Sequence, residues 1–495
     1  MKRILLIVVL FGILVSIILY FTKEPLLIST PDDQFVSLNE SGFAIGNEEF
    51  IPIVLNYKVS LQTDSSSVWP CPYLGYNPER KFRFITRDSS LLELKADLEL
   101  IRTLGFNSVR IVGIGEHSVD DKESGDLSVN ARYKNRHDVL LDFNNEEQYS
   151  QYLKSIEDLL RIAEDCDLKV IFLTRLFHEV ESTEENLAKL AGHFRNDPTI
   201  MAWDFFNEPL YFDSLEHTKR EVFDIVDGWQ SILKLNAANH LSTIGITGIR
   251  EVFQWDPNLL NVDFLSIHPY EYEPEQVRNE MFWYNKFIDK PWIVGETAIP
   301  ADGDSVPYEI QTDFAEKTLQ QTFNCGGIGY SWWQYKDVEW FDFHANFMGV
   351  VSREGLMFSE DSIPMNITVK PVTEAFSSFK REKGECLCLD NYYNYTEGDV
   401  FELNGRLVDE HGNPIEGGVI LAWNEWWSSS YHTITKNDGT FKLKGTFPFF
   451  HWIASATRYS VVRGDIHPDQ SQKSDNNTPV YDLGELMIEK LSWAE

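Results

Sequence analysis

Short apolar runs alternate with amphipathic segments along this chain from about Gly42 to Phe379. Each apolar run is typical of a strand buried on both faces, and the segments between them repeat apolar residues at helical spacing. The predicted strands are Ile51–Asn56, Asn107–Val112, Lys169–Thr174, Met201–Phe206, Leu241–Ile246, Val262–Ile267, Trp292–Gly295 and Gly327–Trp333. The predicted helices are Leu91–Thr103, Gln148–Cys166, Glu184–Phe194, Glu216–Leu235, Ile310–Phe323 and Val372–Phe379. This order predicts a (β/α)8 TIM barrel. A doubly wound open sheet is the alternative, although no glycine-rich phosphate loop follows the first strand.

The pattern changes after residue 380. Residues 381–398 are charged, then rich in Cys, then rich in Asn and Tyr without any period, which predicts a linker. Short strands separated by turns follow it: Val400–Val408, Gly418–Trp423, Thr433–Thr435, Thr440–Leu443, Trp452–Thr457 and Leu486–Glu489. We therefore predict a barrel domain at residues 25–380 and a small all-β sandwich domain at residues 399–495. Linker and sandwich are expected to be separable from the chemistry of the barrel.

The segment Ser118–Arg136 interrupts the barrel pattern. It mixes both signs of charge and shows no regular period. We interpret it as a long loop, which either forms part of a cleft wall or is disordered.

The N-terminus predicts export. Lys2 and Arg3 precede the run Ile4–Phe21, which contains no charged residue and is just long enough to cross a bilayer as a helix. The two basic residues would remain on the cytoplasmic side. No small-residue cleavage site follows, so residues 1–24 predict an uncleaved signal anchor, with a cleaved signal peptide as the alternative. In both cases the globular part would be periplasmic or extracellular, and only this segment would contact the membrane.

Composition narrows the choice of partner. A net charge of −34 argues against binding to nucleic acid or to an anionic membrane surface, because both require basic footprints. The charge suits a protein that acts on a neutral or cationic substrate. Aromatic residues make up 14% of the chain, and such rings can stack on sugar faces, although most of them belong to a core.

The five cysteines do not form a disulfide framework. Cys166 and Cys325 lie in apolar helical patterns and are expected to be buried thiols. Cys386 and Cys388 are too close to pair comfortably with each other, and Cys71 lies in a predicted loop. The odd number leaves at least one thiol free unless a bond joins two chains.

Two of the predicted strands end in a carboxylate. The fourth continues into Asn207-Glu208-Pro209, and the seventh ends at Glu296. Residues at these ends lie at the rim where α/β barrels carry their active sites. Two such groups suffice to cleave a glycosidic bond, because one protonates the leaving oxygen while the other attacks the sugar carbon or activates water. A plain N-cap or loop role for Glu208 and a surface position for Glu296 are the alternatives, and the occurrence of both motifs in this order disfavours them.

With these motifs, residues 43–380 resemble the clan A (β/α)8 glycoside hydrolases, and most nearly the family 5 cellulase and β-mannanase type. The resemblance implies that Glu208 is the acid/base, that Glu296 is the nucleophile, and that Asn207 binds the hydroxyl next to the anomeric carbon. A retaining mechanism would follow, with the two carboxyl groups about 5–5.5 Å apart. It requires no metal and no organic cofactor, and the sequence shows no ligand cluster at metal-binding spacing.

The resemblance implies supporting roles for residues on two other strands. Arg110 matches the second-strand Arg that helps to keep the nucleophile ionised, although it could instead form a structural salt bridge. The sequence Ser266-Ile267-His268-Pro269-Tyr270 is similar to the family's His-x-Tyr motif, in which the Tyr bonds the nucleophile and the His lies near the acid/base. His268 and Tyr270 could also be ordinary residues of a His-Pro turn.

Aromatic and histidine side chains are further candidates for sugar binding. Trp333 is predicted to form the floor under the reacting sugar, with Trp332 as the close alternative, because strand alternation lets only one of them face the barrel axis. His178 follows the third strand and could also bind sugar.

The C-terminal domain resembles the carboxypeptidase regulatory-like, transthyretin-type sandwich through Asn404–Asp409 and Thr435–Phe441. Trp423, Trp426 and Trp427 could form a platform for sugar stacking, but packing within the sandwich or against the barrel is favoured.

The sequence therefore predicts a retaining glycoside hydrolase that acts on a β-linked oligosaccharide or polysaccharide such as a glucan or mannan. A transglycosylase would use the same residues. A non-catalytic carbohydrate-binding protein on a glycosidase-like barrel is the alternative from another class, and the presence of both carboxylates disfavours it.

Overall fold

The computed structural model describes residues 34–494, except for residues 65, 77–85, 117, 120–126, 134–136, 181, 214, 271–273, 341, 353–367, 382–387, 389–393, 396–397, 399, 427, 468–471 and 474–477. The predicted signal anchor or signal peptide at residues 1–24 lies outside the described residues, as do Cys386 and Trp427. No helix among the described residues is both long enough and apolar enough to cross a membrane.

Eight parallel strands form a closed barrel. They are Ile53–Thr63, Ser108–Val112, Lys169–Leu173, Ile200–Asn207, Leu241–Ile246, Leu265–Ile267, Trp292–Val294 and Tyr330–Trp332. Each pairs with the next, and the eighth pairs with the first, with Tyr330 opposite Ile53. The predicted barrel is confirmed, and the alternative of an open sheet is wrong.

The main helices surround the barrel. They are Arg87–Thr103, Glu146–Asp165, Ser182–Phe194, Lys219–Asn236, Pro274–Phe287 and Tyr308–Asn324, with shorter helices at Pro209–Phe212, Phe343–Asn346 and Thr373–Ser377 and 3-10 turns at Leu74–Tyr76 and Ile249–Phe253. The helix Pro274–Phe287 was not predicted. Thr218 and Glu221 form a reciprocal capping box that starts the helix Lys219–Asn236, which is why that helix begins three residues later than predicted.

The amino-terminal end of the barrel is closed by a small sheet of three strands, Val36–Asn39, Gly42–Ile45 and Glu48–Glu49. Its apolar residues pack on residues near the starts of several barrel strands, and the Phe43 ring meets that of Phe264 edge to face at 5.1 Å. The opposite, carboxyl-terminal end of the barrel is therefore the end at which a site can open.

The first barrel strand extends well beyond the barrel and carries an additional sheet. Its outer half pairs with Val68–Pro72 and with Leu127–Tyr133, and the latter pairs with His137–Asp142. The interpretation of Ser118–Arg136 as a loop is therefore wrong for its described part. Leu127, Val129 and Ala131 are buried at every second position, and partner strands on both sides provide the hydrogen bonds that the sequence alone did not reveal.

The C-terminal domain is a sandwich of two sheets. The first contains Asn394–Tyr395, Ser430–Ile434, Val419–Trp423, His451–Ser455 and Val462–Asp465, and the second contains Thr440–Gly445, Phe401–Val408, Pro479–Met487 and Gln472–Lys473, each in spatial order. A separate apolar cluster fills the space between the sheets. The predicted all-β domain is thus confirmed, and its first strand lies within the predicted linker.

The sandwich docks on the barrel where an outer helix is missing. Residues 247–264, all of them described, contain a 3-10 turn at Ile249–Phe253 and no α-helix. Sandwich residues Val419, Leu421 and Ile434 join the barrel's hydrophobic core there.

Polar contacts at the edge of this interface tie the two domains together. The buried Lys219 ammonium pairs with Asp256 at 2.8 Å and donates to the carbonyl of Ala456 at 2.8 Å. The Trp283 indole donates to the carbonyl of Gly417 at 2.8 Å. Because a buried ammonium is costly without partners, these contacts favour one fixed docking arrangement.

The cysteines differ from the expectation. Cys325 is not a free thiol but forms a disulfide with Cys388, 63 positions further along the chain. Cys166 is a buried free thiol, as predicted, and Cys71 is also buried and free but lies on the strand Val68–Pro72 rather than in a loop. The pairing was missed because the fold brings the end of the helix Tyr308–Asn324 next to the predicted linker.

Candidate active site

The carboxyl ends of several barrel strands bring acidic, basic and aromatic side chains to one opening. One carboxylate oxygen of Glu208, one of Glu296 and a ring nitrogen of His268 all lie within 4.8 Å of one another. Glu208 follows the fourth strand and Glu296 the seventh, so residues 88 positions apart in sequence face each other across the barrel mouth.

Arg110, on the second strand, lies at the centre of the network. Its Nε donates to Asp204 at 2.8 Å, and its Nη2 donates to Asn207 at 2.7 Å. Its Nη1 donates to the side-chain oxygen of Asn56 at 3.0 Å and to Glu296. Burial opposes the charge of Arg110, but Asp204 and Glu296 outweigh it and raise the pKa of the guanidinium. One buried cation on the second strand therefore holds side chains from the first, fourth and seventh strands in a single arrangement.

Two members of this network were missed by the sequence analysis. Asn56 donates to the carbonyl of Gly295 at 3.0 Å and to the hydroxyl of Ser331 at 2.8 Å. Asp204 accepts from the backbone N–H of Gly245 at 3.1 Å as well as from Arg110. Each is a fully buried polar residue within an apolar strand, and that interruption was the signal that could have revealed them.

Glu208 occupies an unusual backbone position at the end of its strand. Its φ of 48° and ψ of 66° place it in the left-handed region, which is uncommon for a residue with a side chain, and Pro209 then starts a short helix. Its own N–H still donates to the carbonyl of Gly245 at 2.7 Å. Burial raises the pKa of Glu208 to about 7, although Arg110 and Arg250 act in the opposite direction. Glu208 is thus able to hold a proton near neutral pH.

His268 fills the space between the two carboxylates. Its Nδ1 lies 3.1 Å from a Glu208 oxygen and 3.8 Å from a Glu296 oxygen. Burial lowers the pKa of His268 to about 4, so the ring is neutral near pH 7. A Cβ atom at Gly245 would lie 2.7 Å from this ring, and one at Gly295 would lie 3.0 Å from it and 1.7 Å from the hydroxyl of Ser266. Glycine at both positions is therefore required for the ring to fit.

Tyr270 completes the surroundings of Glu296. Its hydroxyl donates to the second oxygen of that carboxylate at 2.7 Å. Burial and, next, the charge of Glu296 raise the pKa of Tyr270 well above its usual value, so the hydroxyl keeps its proton. Glu296 therefore accepts from Arg110 on one oxygen and from Tyr270 on the other.

A cavity of 520 Å³ opens over these groups, within the size range of small-molecule sites. Trp333 lines it, whereas Trp332 is fully buried and its indole donates to the carbonyl of Met348 at 2.9 Å. Trp340, which was not predicted, stands beside Trp333 with ring centroids 6.1 Å apart. The ammonium of Lys58 lies 5.1 Å from the Trp340 ring centroid, which gives this wall both aromatic and cationic character.

The sandwich also reaches the cavity. His432, on the strand Ser430–Ile434, is buried and is among the residues that line it. Arg250 lines both this cavity and a larger cleft of 1030 Å³ between barrel and sandwich, to which Trp423 contributes. These contacts argue against the expectation that the sandwich is separable from the chemistry of the barrel.

His178 is the one predicted site residue that the structure places elsewhere. It is not among the residues that line the cavity with the two carboxylates. Its ring instead meets that of His217 edge to face, with the centroids 4.5 Å apart. The other predicted residues, Arg110, Asn207, Glu208, His268, Tyr270, Glu296 and Trp333, are brought together.

Comparisons with known proteins give similar structures only. No protein-family model matches the chain, and no curated protein matches it in sequence. Its structure is similar to that of a variant of the GH5_18 enzyme from Streptomyces cattleya in complex with Manβ1-4GlcNAc, with 16% identity over 72% of this chain and 85% of the other and a TM-score of 0.45. It is also similar to the exo-β-1,4-mannosidase Op5Man5 from Opitutaceae bacterium strain TAV5, with 18% identity over 70% of this chain and 61% of the other and a TM-score of 0.45.

A third similar structure is β-glucuronidase 2 of Bacteroides uniformis, with 12% identity over 91% of this chain and a TM-score of 0.45. This chain spans about half of the length of that enzyme, since 48% of it is covered.

Proposed function

We propose that this protein is a retaining glycoside hydrolase that cleaves a β-linked oligosaccharide or polysaccharide, a glucan or a mannan. The observation that carries the proposal is the placement of Glu208 and Glu296, with carboxylate oxygens within 4.8 Å of each other in a cavity at the carboxyl end of a TM barrel. Retaining enzymes hold their two carboxyl groups about 5–5.5 Å apart, whereas inverting enzymes need about 6.5–9.5 Å to admit a water molecule. Two nearest oxygens within 4.8 Å of each other leave little room for a water molecule between the groups, which favours the retaining class.

The surroundings of the two carboxyl groups support a division of labour. Glu208 has a pKa of about 7, because it is buried, and can deliver a proton to the leaving oxygen. Glu296 accepts hydrogen bonds from Arg110 and Tyr270, which orient it for attack on the anomeric carbon. In the second step Glu208 would take a proton from water, and the water oxygen would displace Glu296 from the sugar. No other group is required for either step.

Substrate binding is assigned to side chains around these two. Asn207, held by Arg110, is placed next to Glu208 and would bind the hydroxyl adjacent to the reacting carbon. Trp333 and Trp340 form an aromatic wall on which a pyranose ring can stack. A transglycosylase would use the same groups, and analysis of products at high sugar concentration separates the two activities.

The proposed location is outside the cytoplasm, with the chain anchored by its N-terminal segment. The apolar run Ile4–Phe21 supports this proposal, and so does the Cys325–Cys388 disulfide, because such bonds persist in oxidising compartments. Release of the protein from membranes by detergent, but not by alkaline carbonate, would support anchoring.

The two roles are tested by comparing Glu296→Ala with Glu208→Ala in the presence of azide. A substrate is first found with a panel of polysaccharides and aryl glycosides. In Glu296→Ala, azide can enter the space of the lost nucleophile and give a product of inverted configuration. In Glu208→Ala, activated aryl glycosides should still form the glycosyl-enzyme, and azide should then give a retained product. Unchanged activity in either variant would end the proposal, and the opposite stereochemistry would exchange the roles.

A further inference from the structure

A second cluster of chemically competent side chains lies beside the active-site cavity. His178 comes from the segment after the third barrel strand, whereas Asp213 and His217 come from the segment after the fourth. One ligand atom from each lies within 4.8 Å of the others, and the Nε2 of His217 is 3.3 Å from an oxygen of Asp213. The sequence analysis found no metal-binding spacing because only Asp213 and His217, four positions apart, are close in sequence.

The side chains of the cluster are largely buried, and its histidine rings are short of hydrogen-bond partners. The exposed fraction of the side chain is 4% for Asp213, 9% for His217 and 11% for His178. Both ring nitrogens of His178 and the Nε2 of His217 are buried without a hydrogen-bond partner among the described residues. Buried polar atoms nearly always have partners, because burying one without a hydrogen bond removes its contact with water and gives nothing in return. Because the Nε2 of His217 lies 3.3 Å from Asp213, it is the two ring nitrogens of His178 that indicate a ligand.

The carboxylate is already oriented by its neighbours. The Trp255 indole donates to the Oδ2 of Asp213 at 3.1 Å, and the N–H of Leu215 donates to its other oxygen at 3.3 Å. The backbone of His217 is held by a hydrogen bond to Gln254 at 2.8 Å. Metal-binding carboxylates are typically fixed by outer hydrogen bonds of this kind.

We propose that His178, Asp213 and His217 bind a divalent transition-metal ion of the zinc class. Two imidazoles and one carboxylate are ligands that zinc accepts, and they disfavour magnesium and calcium, which prefer oxygen. Zinc–ligand bonds of about 2.0–2.2 Å in a tetrahedron put neighbouring ligand atoms about 3.3–3.6 Å apart, in agreement with the 3.3 Å between His217 and Asp213. An ion pair between His217 and Asp213 alone would leave both nitrogens of His178 without a partner.

The ion would stabilise the segment that follows Glu208. Asp213 lies five positions after Glu208 and directly follows the short helix Pro209–Phe212. The Arg175 guanidinium, from the segment that carries His178, already lies over the Phe212 ring at 5.3 Å. The ion would therefore tie the segments after the third and fourth strands to each other. This role does not depend on the proposed glycosidase activity.

The test is metal binding by the full chain, purified without a histidine tag and stripped with a chelator. We expect calorimetric titration with Zn²⁺, together with metal analysis by mass spectrometry, to show one tightly bound ion per chain, and bound Zn²⁺ to raise the Tm. His178→Gln and Asp213→Asn should each weaken binding by at least about 10-fold. His451→Gln is the matched control, because His451 pairs with Asp465 at 2.7 Å in the interdomain cleft that Asp213 and His217 also line. This variant should bind Zn²⁺ as the wild type does.

Three outcomes would overturn the proposal. The first is that the stripped wild type binds no stoichiometric Zn²⁺, and the second is that a folded His178→Gln or Asp213→Asn variant binds Zn²⁺ with wild-type affinity. The third is that Glu208→Gln loses the ion, because that loss would place the ion in the catalytic cavity. If the ligand variants do not fold, the absorption spectrum of Co²⁺ bound to the wild type tests the proposal instead. Intense four-coordinate absorption bands that Zn²⁺ abolishes would support the site, and a weak octahedral spectrum would count against it.

Discussion

Removing the hydroxyl of Tyr270 should slow the second chemical step more than the first. Tyr270→Phe deletes one oxygen atom, the donor 2.7 Å from Glu296. During attack on the sugar carbon, the carboxylate of Glu296 loses its charge. The hydrogen bond from Tyr270 therefore does not lower the barrier of that step. When the glycosyl-enzyme breaks down, the carboxylate leaves and regains its charge, and a donor stabilises it. Because the pKa of Tyr270 is raised by burial and by Glu296, the hydroxyl is protonated and available to donate at neutral pH.

The size of the effect follows from the type of hydrogen bond. A hydrogen bond to a charged group contributes about 1.5–3 kcal/mol, and each 1.36 kcal/mol in a barrier changes a rate by about tenfold. We therefore expect steady-state kcat to fall by about 10- to 160-fold for an activated aryl glycoside. The release of phenol in the first turnover should be much less affected, so a burst should appear before the slow steady state.

The assay is stopped-flow release of phenol from wild type and variant, with Tm measured on the same samples. Tyr284→Phe is the matched control, because Tyr284 is also fully buried but its hydroxyl has no partner among the described residues. That variant should keep the wild-type kcat. An equal kcat in folded Tyr270→Phe, or equal slowing of both steps without a burst, would refute the reasoning.

Three further predictions concern pH, the disulfide and the sandwich. Burial raises the pKa of Glu208 to about 7, and the first step needs the proton of this residue, so kcat/KM should be high below pH 7 and fall as the pH rises above 7. In the pH profile of Glu208→Gln this fall at high pH should be absent. Breaking the bond between Cys325 and Cys388 by Cys388→Ser should lower the stability of oxidised protein by up to about 4 kcal/mol, measured by urea unfolding, whereas a reduced wild type should match the variant. Deleting residues 399–495 should lower the Tm and, because His432 is removed from the cavity wall, also kcat/KM. An unchanged Tm and an unchanged kcat/KM would show that the barrel does not need the sandwich.

Local patterns in the sequence were sufficient for the barrel and for the two carboxylates of its candidate active site. A strand buried on both faces is continuously apolar, so a carboxylate that ends such a strand is visible without any structure. The topology then places all strand ends at one rim, which is why Glu208 and Glu296 were expected to meet. Arg110 and Tyr270 were instead predicted through the resemblance of their segments to motifs of a known glycoside hydrolase family.

Contacts between distant segments were decided only by the tertiary structure. Asn56 and Asp204 are polar residues in apolar strands, but their partners lie on other strands, so nothing local identifies what they bind. The Cys325–Cys388 bond, the docking of the sandwich where a barrel helix is missing, and the meeting of His178 with His217 have the same origin. Periodicity reports which face of an element is buried, whereas the neighbour that covers that face depends on how the whole chain packs.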